Sequence, residues 1–366
     1  MIHEASPEDT ERRDALAGRL FEAALGAFDL FTIHLGLDLG LYESLRHDGP
    51  ATAGELARRA GIDPRYAREW LEQQAVTGIL EVDDVAADEA ARRYSLPAGH
   101  AEALLDPESP AASQSMLRFL ASGARVLPAI VDAYRTGAGV AWDAYPGIVT
   151  AQELANRPLF RHVLASDWLS AIPDVHARLS SAQGARVADV ACGTGYSTIA
   201  LARAYPTAVI EGLDVDPESI ERARENARVA GFGEDQVRFH LVDAARHDLD
   251  GQFDLALVVE AVHDMADPVA VLGAVKRLLA PGGTVIVADE GVAETFTAPG
   301  DEIERAMYGY SVLFCLPNTR AEPGSIATGT VIRPDTMRRY ATAAGFSQVA
   351  VLPIAHDVFR LYRLDP

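Results

Sequence analysis

The seven residues Asp189-Val190-Ala191-Cys192-Gly193-Thr194-Gly195 constrain this chain more than any others. An apolar run, Val187-Ala188-Asp189-Val190, leads into them, and a helical pattern, Thr198-Ile199-Ala200-Leu201-Ala202, leads out. Strand, glycine turn and helix start form the junction at which α/β folds hold nucleotides. Glycines there let the backbone approach a ligand closely, and the first helical turn offers N–H groups that have no intrahelical partner. A second landmark follows nineteen positions after Gly195, where the apolar stretch from Ala208 to Leu213 ends at Asp214. A carboxylate at the tip of the next strand accepts hydrogen bonds from both ribose hydroxyls. A nucleoside-containing ligand is the leading expectation.

The 366 residues, 49% hydrophobic and 23% charged, suit a globular protein of two domains. The net charge of −21 argues against nucleic acid and anionic membrane as partners, since both need clustered Lys and Arg. The acidic N-terminus does not read as a signal peptide, and no apolar run approaches about 18 residues. Two cysteines, Cys192 and Cys315, build no disulfide framework, so a cytoplasmic protein is expected. Cys192 reads as a small residue filling a tight turn, the alternative being a reactive thiol at a helix N-terminus.

Residues 1–12 are polar and read as frayed. From Asp14 to Leu37, Leu16, Leu20, Ala24, Phe28 and Phe31 recur at helical spacing, a stripe suited either to another subunit or to burial in its own domain. Thr52-Ala53-Gly54-Glu55 is a capping box with Gly61 as the helix stop; Asp63-Pro64 opens a helix that Gly78 ends. Two short strands, Ile79–Val82 and Arg93–Leu96, flank an acidic loop and complete a winged-helix pattern. Such a pattern suggests DNA binding, but residues 1–100 hold ten arginines against nineteen acidic residues, which would repel a duplex. An aromatic-rich helical segment, including Trp168, follows and is read as covering the mouth of the next domain. Beyond Gly184 strands and helices alternate as in a parallel sheet.

The turn chooses between ligand classes. A dinucleotide site wants Gly-x-Gly-x-x-Gly, but Thr198 stands at the third glycine position, and Asp189 would repel a pyrophosphate. A carboxylate there suits a ligand with a positive amino group, as S-adenosylmethionine has. Residues 184–290 resemble the core of the class I S-adenosylmethionine-dependent methyltransferases. The resemblance rests on Asp189 to Gly195, with Ala191 in place of the motif's first glycine, on Asp214, on Asp243-Ala244 and on Pro281-Gly282-Gly283, which matches the turn before the fifth strand. The whole chain is similar to small-molecule O-methyltransferases that dimerise through an N-terminal domain, and to a bacterial winged-helix branch of them. That similarity lies in Glu69–Gln74, Glu260–Met265 and the stretch from Tyr340 to Leu364.

The resemblance implies a Rossmann-like core with a mostly parallel seven-stranded sheet at 184–366, a helical linker at 106–183 and a winged-helix dimerisation domain at 1–105. It implies S-adenosylmethionine as cofactor and S-adenosylhomocysteine as product, held by Asp189, Ala191, Gly193, Gly195, Asp214, Val215, Asp243, Ala244 and Glu260. For Glu260 a satisfied buried acid is the alternative. His263, in the stretch His263-Asp264-Met265, matches the family's catalytic histidine, with Asp289 and Glu290 to orient it; a histidine that only packs is the alternative. A general base helps when the acceptor is a phenol, whose pKa is about 10. Trp168, Met307, Tyr310 and Phe314 are expected to wall a small, aromatic or hydrophobic acceptor. His356 is a second candidate base or a turn residue. No metal ligand set stands out among the ten histidines. Methylation at nitrogen, carbon or sulfur and a non-catalytic sensor of the cofactor are the rival readings, as is a non-methylating enzyme that keeps the cofactor to shape its pocket.

Overall fold

Ser6 and Pro7 start the first helix earlier than its periodicity suggests. The Ser6 hydroxyl accepts the Asp9 N–H, Pro7 takes the first helical position, and Glu8 and Asp9 lie where the helix dipole favours acids. Helix α1 therefore runs Pro7–Asp38, not from Asp14, and the stretch read as frayed is helical from Pro7 on. The computed structural model describes residues 6–181, 183–244 and 251–366, so the first five residues lie outside it.

The chain divides into two compact units, Met1–Ala121 and Ser122–Pro366. In the first, α1 is followed by α2 (Leu41–Asp48), α3 (Ala53–Ala60), α4 (Pro64–Val76), strands β1 (Glu81–Val82) and β2 (Tyr94–Ser95), and α5 (Ala98–Leu105). The capping box at Thr52 and Glu55 forms, and Gly61 closes α3 in the left-handed conformation. The core gathers Ile33, Leu37, Tyr42, Leu56, Trp70 and Leu71. Trp70 stands edge-on to Tyr42 with ring centroids 5.0 Å apart and donates from its indole N–H to the Thr32 carbonyl at 2.9 Å. The C-terminal part of α1 is thus built into the unit. Its earlier apolar residues are not: Leu16, Leu20, Phe21, Phe28 and Phe31 are all exposed, which rules out burial of that stripe within its own unit. By length and composition α1 also meets the requirement for a membrane span, a feature that a search for an unbroken apolar run does not detect.

The boundary between the units falls inside α6 (Gln114–Thr136), so the segment 106–183 is shared between them. The second unit continues with α7 (Ile148–His162) and α8 (Pro173–Leu179) and then the alternating elements β3 (Arg186–Val190), α9 (Tyr196–Ala204), β4 (Val209–Asp214), α10 (Pro217–Val229), β5 (Val237–Leu241), β6 (Phe253–Val259), α11 (Pro268–Leu278) and β7 (Leu279–Glu290). After α12 (Glu302–Tyr310), α13 (Leu316–Ala321) and α14 (Pro334–Ala343) come β8 (Gln348–Val351) and β9 (Phe359–Asp365). The seven strands lie in the order β5-β4-β3-β6-β7-β9-β8, with β9 antiparallel to both its neighbours and the rest parallel.

Both faces of the sheet are covered, which is why its strands read as unbroken apolar runs. Val187, Leu255, Leu257 and Ile286 pack with Ile199 and Ile220 on one face; Ala188, Val190, Val258 and Val287 pack with Leu272 and Met337 on the other. Pro281-Gly282-Gly283, expected as a turn ahead of the strand, is an irregular stretch within β7, because Phe253 pairs with Leu279 and Leu255 with Thr284.

Candidate functional site

From β3 the chain moves outward to β4 and β5, then returns to β6 on the other side of β3. The reversal opens a crevice at the carboxyl ends of β3 and β6, the place where open α/β sheets bind ligands. The glycine turn lies there. Ala191, Gly193 and Gly195 all have positive φ, at 58°, 52° and 82°. A Cβ on Gly195 would lie 2.7 Å from Phe239, whereas one on Gly193 would meet nothing within 4 Å. Gly195 is thus required by packing, and Gly193 presents bare backbone to open space. Alanine at 191 holds a backbone conformation that glycine adopts without cost.

Two carboxylates lie at this turn. Asp189 is buried, and its Oδ2 accepts the hydroxyls of Ser197 and Thr198, both at 2.6 Å; burial pushes its pKa up to about 6. Asp214 accepts the Gly193 N–H at 2.8 Å on Oδ2 and the Asp216 N–H at 2.9 Å on Oδ1, and burial raises its pKa. Each oxygen keeps a further lone pair. Beside it Val215 is 67% exposed, an apolar side chain left uncovered next to a half-buried acid. Ala244 is buried and Asp243 half-buried after the tip of β5. Bare glycine backbone, an acid with lone pairs to spare and an uncovered valine fit a nucleoside. Cys192 is a filler: burial holds its thiol well above the ordinary range, and its Sγ lies 2.8 Å from where a Cβ on Gly212 would stand.

His263 follows β6 in a short 3-10 turn, Val262–Asp264, and is 2% exposed. Its Nδ1 stands 2.7 Å from Asp289 Oδ1 and 3.0 Å from Glu290 Oε2, and its Nε2 lies 3.6 Å from Asp264 Oδ2. Burial alone would lower the proton affinity of the imidazole, but Glu290, Asp264 and Asp289 outweigh it and hold the pKa well above the usual range. The surrounding acids therefore favour the protonated ring over a lone neutral base. Burial raises Glu290 and Asp264, while for Asp289 the charge and hydrogen bond of His263 overcome burial and lower the pKa. The fold also gathers two donor sets that no spacing in the sequence reveals, His263–Asp264–Cys315 and His263–Asp289–Glu290, each with ligand atoms within 4.8 Å of one another. The 2.7 Å contact from Nδ1 to Asp289 Oδ1 is a charge-assisted hydrogen bond.

Glu260, at the tip of β6, has φ 53° and accepts the Gln152 amide at 3.1 Å, with Asn156 adding a second amide. Gln152 and Asn156, one helical turn apart on α7, were not picked out from the sequence; their (i, i+4) spacing was the available signal.

Met307 and Phe314 are buried, and the Phe314 ring lies tilted at 6.0 Å from Tyr310 and 5.5 Å from Tyr145, which in turn lies 6.0 Å from Trp142. Trp168 is not in this wall. It is buried in the core between sheet and helices, edge-on to Phe359 at 5.7 Å and to His356 at 5.3 Å, because its helical turn packs beneath the last strand. His356 is a turn residue: its Nδ1 accepts the N–H groups of Val358 and Phe359, both at 3.1 Å.

Residues 181–315 match the family model described as "Methyltransferase domain", and residues 27–105 match "Rv2258c-like winged HTH domain". An O-methyltransferase of Penicillium expansum is 38% identical over 120 residues, 32% of this chain and 42% of its own. A ubiquinone biosynthesis O-methyltransferase of Psychrobacter arcticus is 30% identical over 166 residues, 44% of this chain and 62% of its own. The chain thus spans about two fifths to three fifths of the length of these curated relatives. Two solved structures share the fold over the whole chain. That of the mitomycin 7-O-methyltransferase is 24% identical, covers 97% of this chain and 99% of its own, and superposes with a TM-score of 0.68. That of human N-acetylserotonin methyltransferase in complex with SAM is 18% identical, covers 100% and 99%, and superposes with a TM-score of 0.71.

Proposed function

We propose that this protein is an S-adenosylmethionine-dependent methyltransferase that methylates a hydroxyl of a small, aromatic or hydrophobic molecule. One observation carries the reading: at the crevice between β3 and β6 the bare backbone of Gly193 and the carboxylate of Asp214 meet at 2.8 Å beside the uncovered Val215. In this reading Asp214 holds the ribose, Val215 and Ala244 the faces of the adenine, Asp243 its amino group, and Asp189 the charged amino-acid end. Ala191 and Gly195 shape the turn. When bound, the cofactor supplies a methyl group already activated by the sulfonium. The protein's task is to align the acceptor, exclude water and take up a proton. Met307, Tyr310 and Phe314, extended by Tyr145 and Trp142, suit a planar acceptor.

The proton from the acceptor passes to the group around His263. The acids around it favour the protonated ring, so the imidazole does not act alone, and coupled groups titrate as a unit. We assign the uptake to His263, Asp289 and Glu290 together, with the imidazolium stabilising whichever carboxylate is ionised.

The exposed apolar side of α1 supports a second copy of this chain as partner. Ile33 and Leu37 of the same helix are locked into the core of the first unit, which favours a protein surface over a lipid one. Nucleic acid is disfavoured at α4, where Arg65 pairs with Glu69 and Arg68 with Glu89. Two buried, unbridged cysteines suit a reducing cytoplasm.

Calorimetric titration with S-adenosylhomocysteine and with NADH, repeated on Asp214→Ala, tests the reading. Binding of the first ligand only, weakened at least about tenfold in the variant, supports it. Binding of NADH, or of neither, overturns it.

A further inference from the structure

Glu260 stands at the tip of β6 with a neutral amide as its partner. Among the described residues only three non-glycines have positive φ, and two of them, Ala191 and Glu260, follow the neighbouring strands β3 and β6. Val190 pairs with Val258, so the segment after β6 runs beside the glycine turn, on the crevice. Among the described residues the Glu260 carboxylate has only the neutral amides of Gln152 and Asn156 as hydrogen-bond donors. The charged groups acting on it are His263 and the acids Asp264 and Asp289, while Tyr310 of α12 lies within electrostatic reach. That one imidazole already stands 2.7 Å from Asp289 and 3.0 Å from Glu290. Burial holds Glu260, Asp264 and Glu290 toward their neutral forms, so a cation arriving beside Glu260 would favour its ionised carboxylate.

We propose that Glu260 is the charge selector of the cofactor crevice, its carboxylate pairing with the sulfonium of S-adenosylmethionine and so favouring that cation over its neutral thioether product. The inference rests on the methyltransferase reading and deepens it. A methyl donor and its demethylated product share the adenosine, the ammonium and the carboxylate; they differ by one methyl group and one charge. Asp214 and the glycine turn cannot tell them apart, whereas a carboxylate near the sulfur can. Selection at Glu260 would speed exchange of spent product for fresh cofactor.

Burial raises the pKa of Glu260 to about 7, so its charge is gained between pH 6 and pH 8. The preference for S-adenosylmethionine over S-adenosylhomocysteine must then increase with pH, by about tenfold over that range, the change in ionised fraction of such a group. Titration of the ligands' shared ammonium and carboxylate cancels in the ratio.

The test is calorimetric titration of the full chain with S-adenosylmethionine and with S-adenosylhomocysteine at pH 6 and pH 8, on wild type, Glu260→Gln and Glu260→Asp. Expected is a ratio of affinities that rises with pH in the wild type, is flat and about tenfold lower at pH 8 in Glu260→Gln, and is regained in Glu260→Asp. Circular dichroism and a melting curve like those of the wild type show that Glu260→Gln is folded. A ratio independent of pH in the wild type, or unchanged in Glu260→Gln, overturns the proposal while leaving the cofactor reading intact. Binding of neither ligand overturns both.

Discussion

The Gly193 N–H donates to the Asp214 carboxylate at 2.8 Å and so ties the turn after β3 to the tip of β4. The bond orients a half-buried acid, and it lies at a turn where Gly193 has no neighbour. Replacing Asp214 by Asn removes the charge but keeps one acceptor. Affinity for S-adenosylhomocysteine should fall about tenfold or more while thermal unfolding shifts little, as read by calorimetric titration and by a melting curve. Undiminished affinity would detach Asp214 from the ligand.

Ala191 holds φ at 58° in the position where the related motif has glycine. Left-handed backbone costs an alanine roughly 1 kcal/mol. Ala191→Gly should therefore raise stability by up to about 1 kcal/mol, less the extra entropy of glycine in the unfolded chain. Urea unfolding measures it; a loss of stability would mean that the alanine methyl group packs usefully.

His263→Gln should lower methyl transfer about 10²–10⁴-fold on a phenolic acceptor that the wild type turns over, with binding of S-adenosylhomocysteine preserved. Glutamine keeps a donor for Asp289 but cannot carry the positive charge that the surrounding acids require. Single-turnover rates give the comparison. An unchanged rate would remove the histidine from proton uptake.

Leu20 and Phe28 are 61% and 64% exposed on α1. If that side meets a second copy, Leu20→Arg with Phe28→Arg should convert a dimer to monomers in light scattering, with secondary structure kept. A wild-type monomer would end the proposal.

Glu211 is buried on β4 between Arg186 of β3 and His240 of β5. Its burial would raise its pKa, but His240 and Arg186 overcome that and hold it at about 2, below its ordinary 4.5. Because the folded value is the lower one, the stabilisation is present above about pH 4.5 and is lost as pH falls toward 2. Glu211→Gln should cost about 3 kcal/mol at pH 7 and less at pH 3, measured by urea unfolding at both.

Much of this architecture was legible because short-range chemistry wrote it. Thr52 and Glu55 cap α3 through bonds between residues three apart, and Gly61 stops the same helix through its own backbone freedom. Strands buried on both faces announce themselves as apolar runs. Asp214 was found because a strand tip nineteen residues beyond a glycine turn has only one place to be. Trp168 was misjudged for the opposite reason: an aromatic residue reads the same whether it faces a ligand or Phe359, and only packing tells the two apart.

The sequence alone determined the order of elements, the strand–turn–helix junction at Asp189–Gly195 and the residue types available there, since each depends on neighbours within a few positions. The tertiary structure decided the electrostatics. His263, Asp264, Asp289, Glu290 and Glu260 come from two separate stretches of chain, and only the parallel pairing of β6 with β7 brings their ends together. Whether an imidazole is a base or an imidazolium depends on which charges lie within a few ångströms and how much water is excluded, and distance along the chain carries neither quantity.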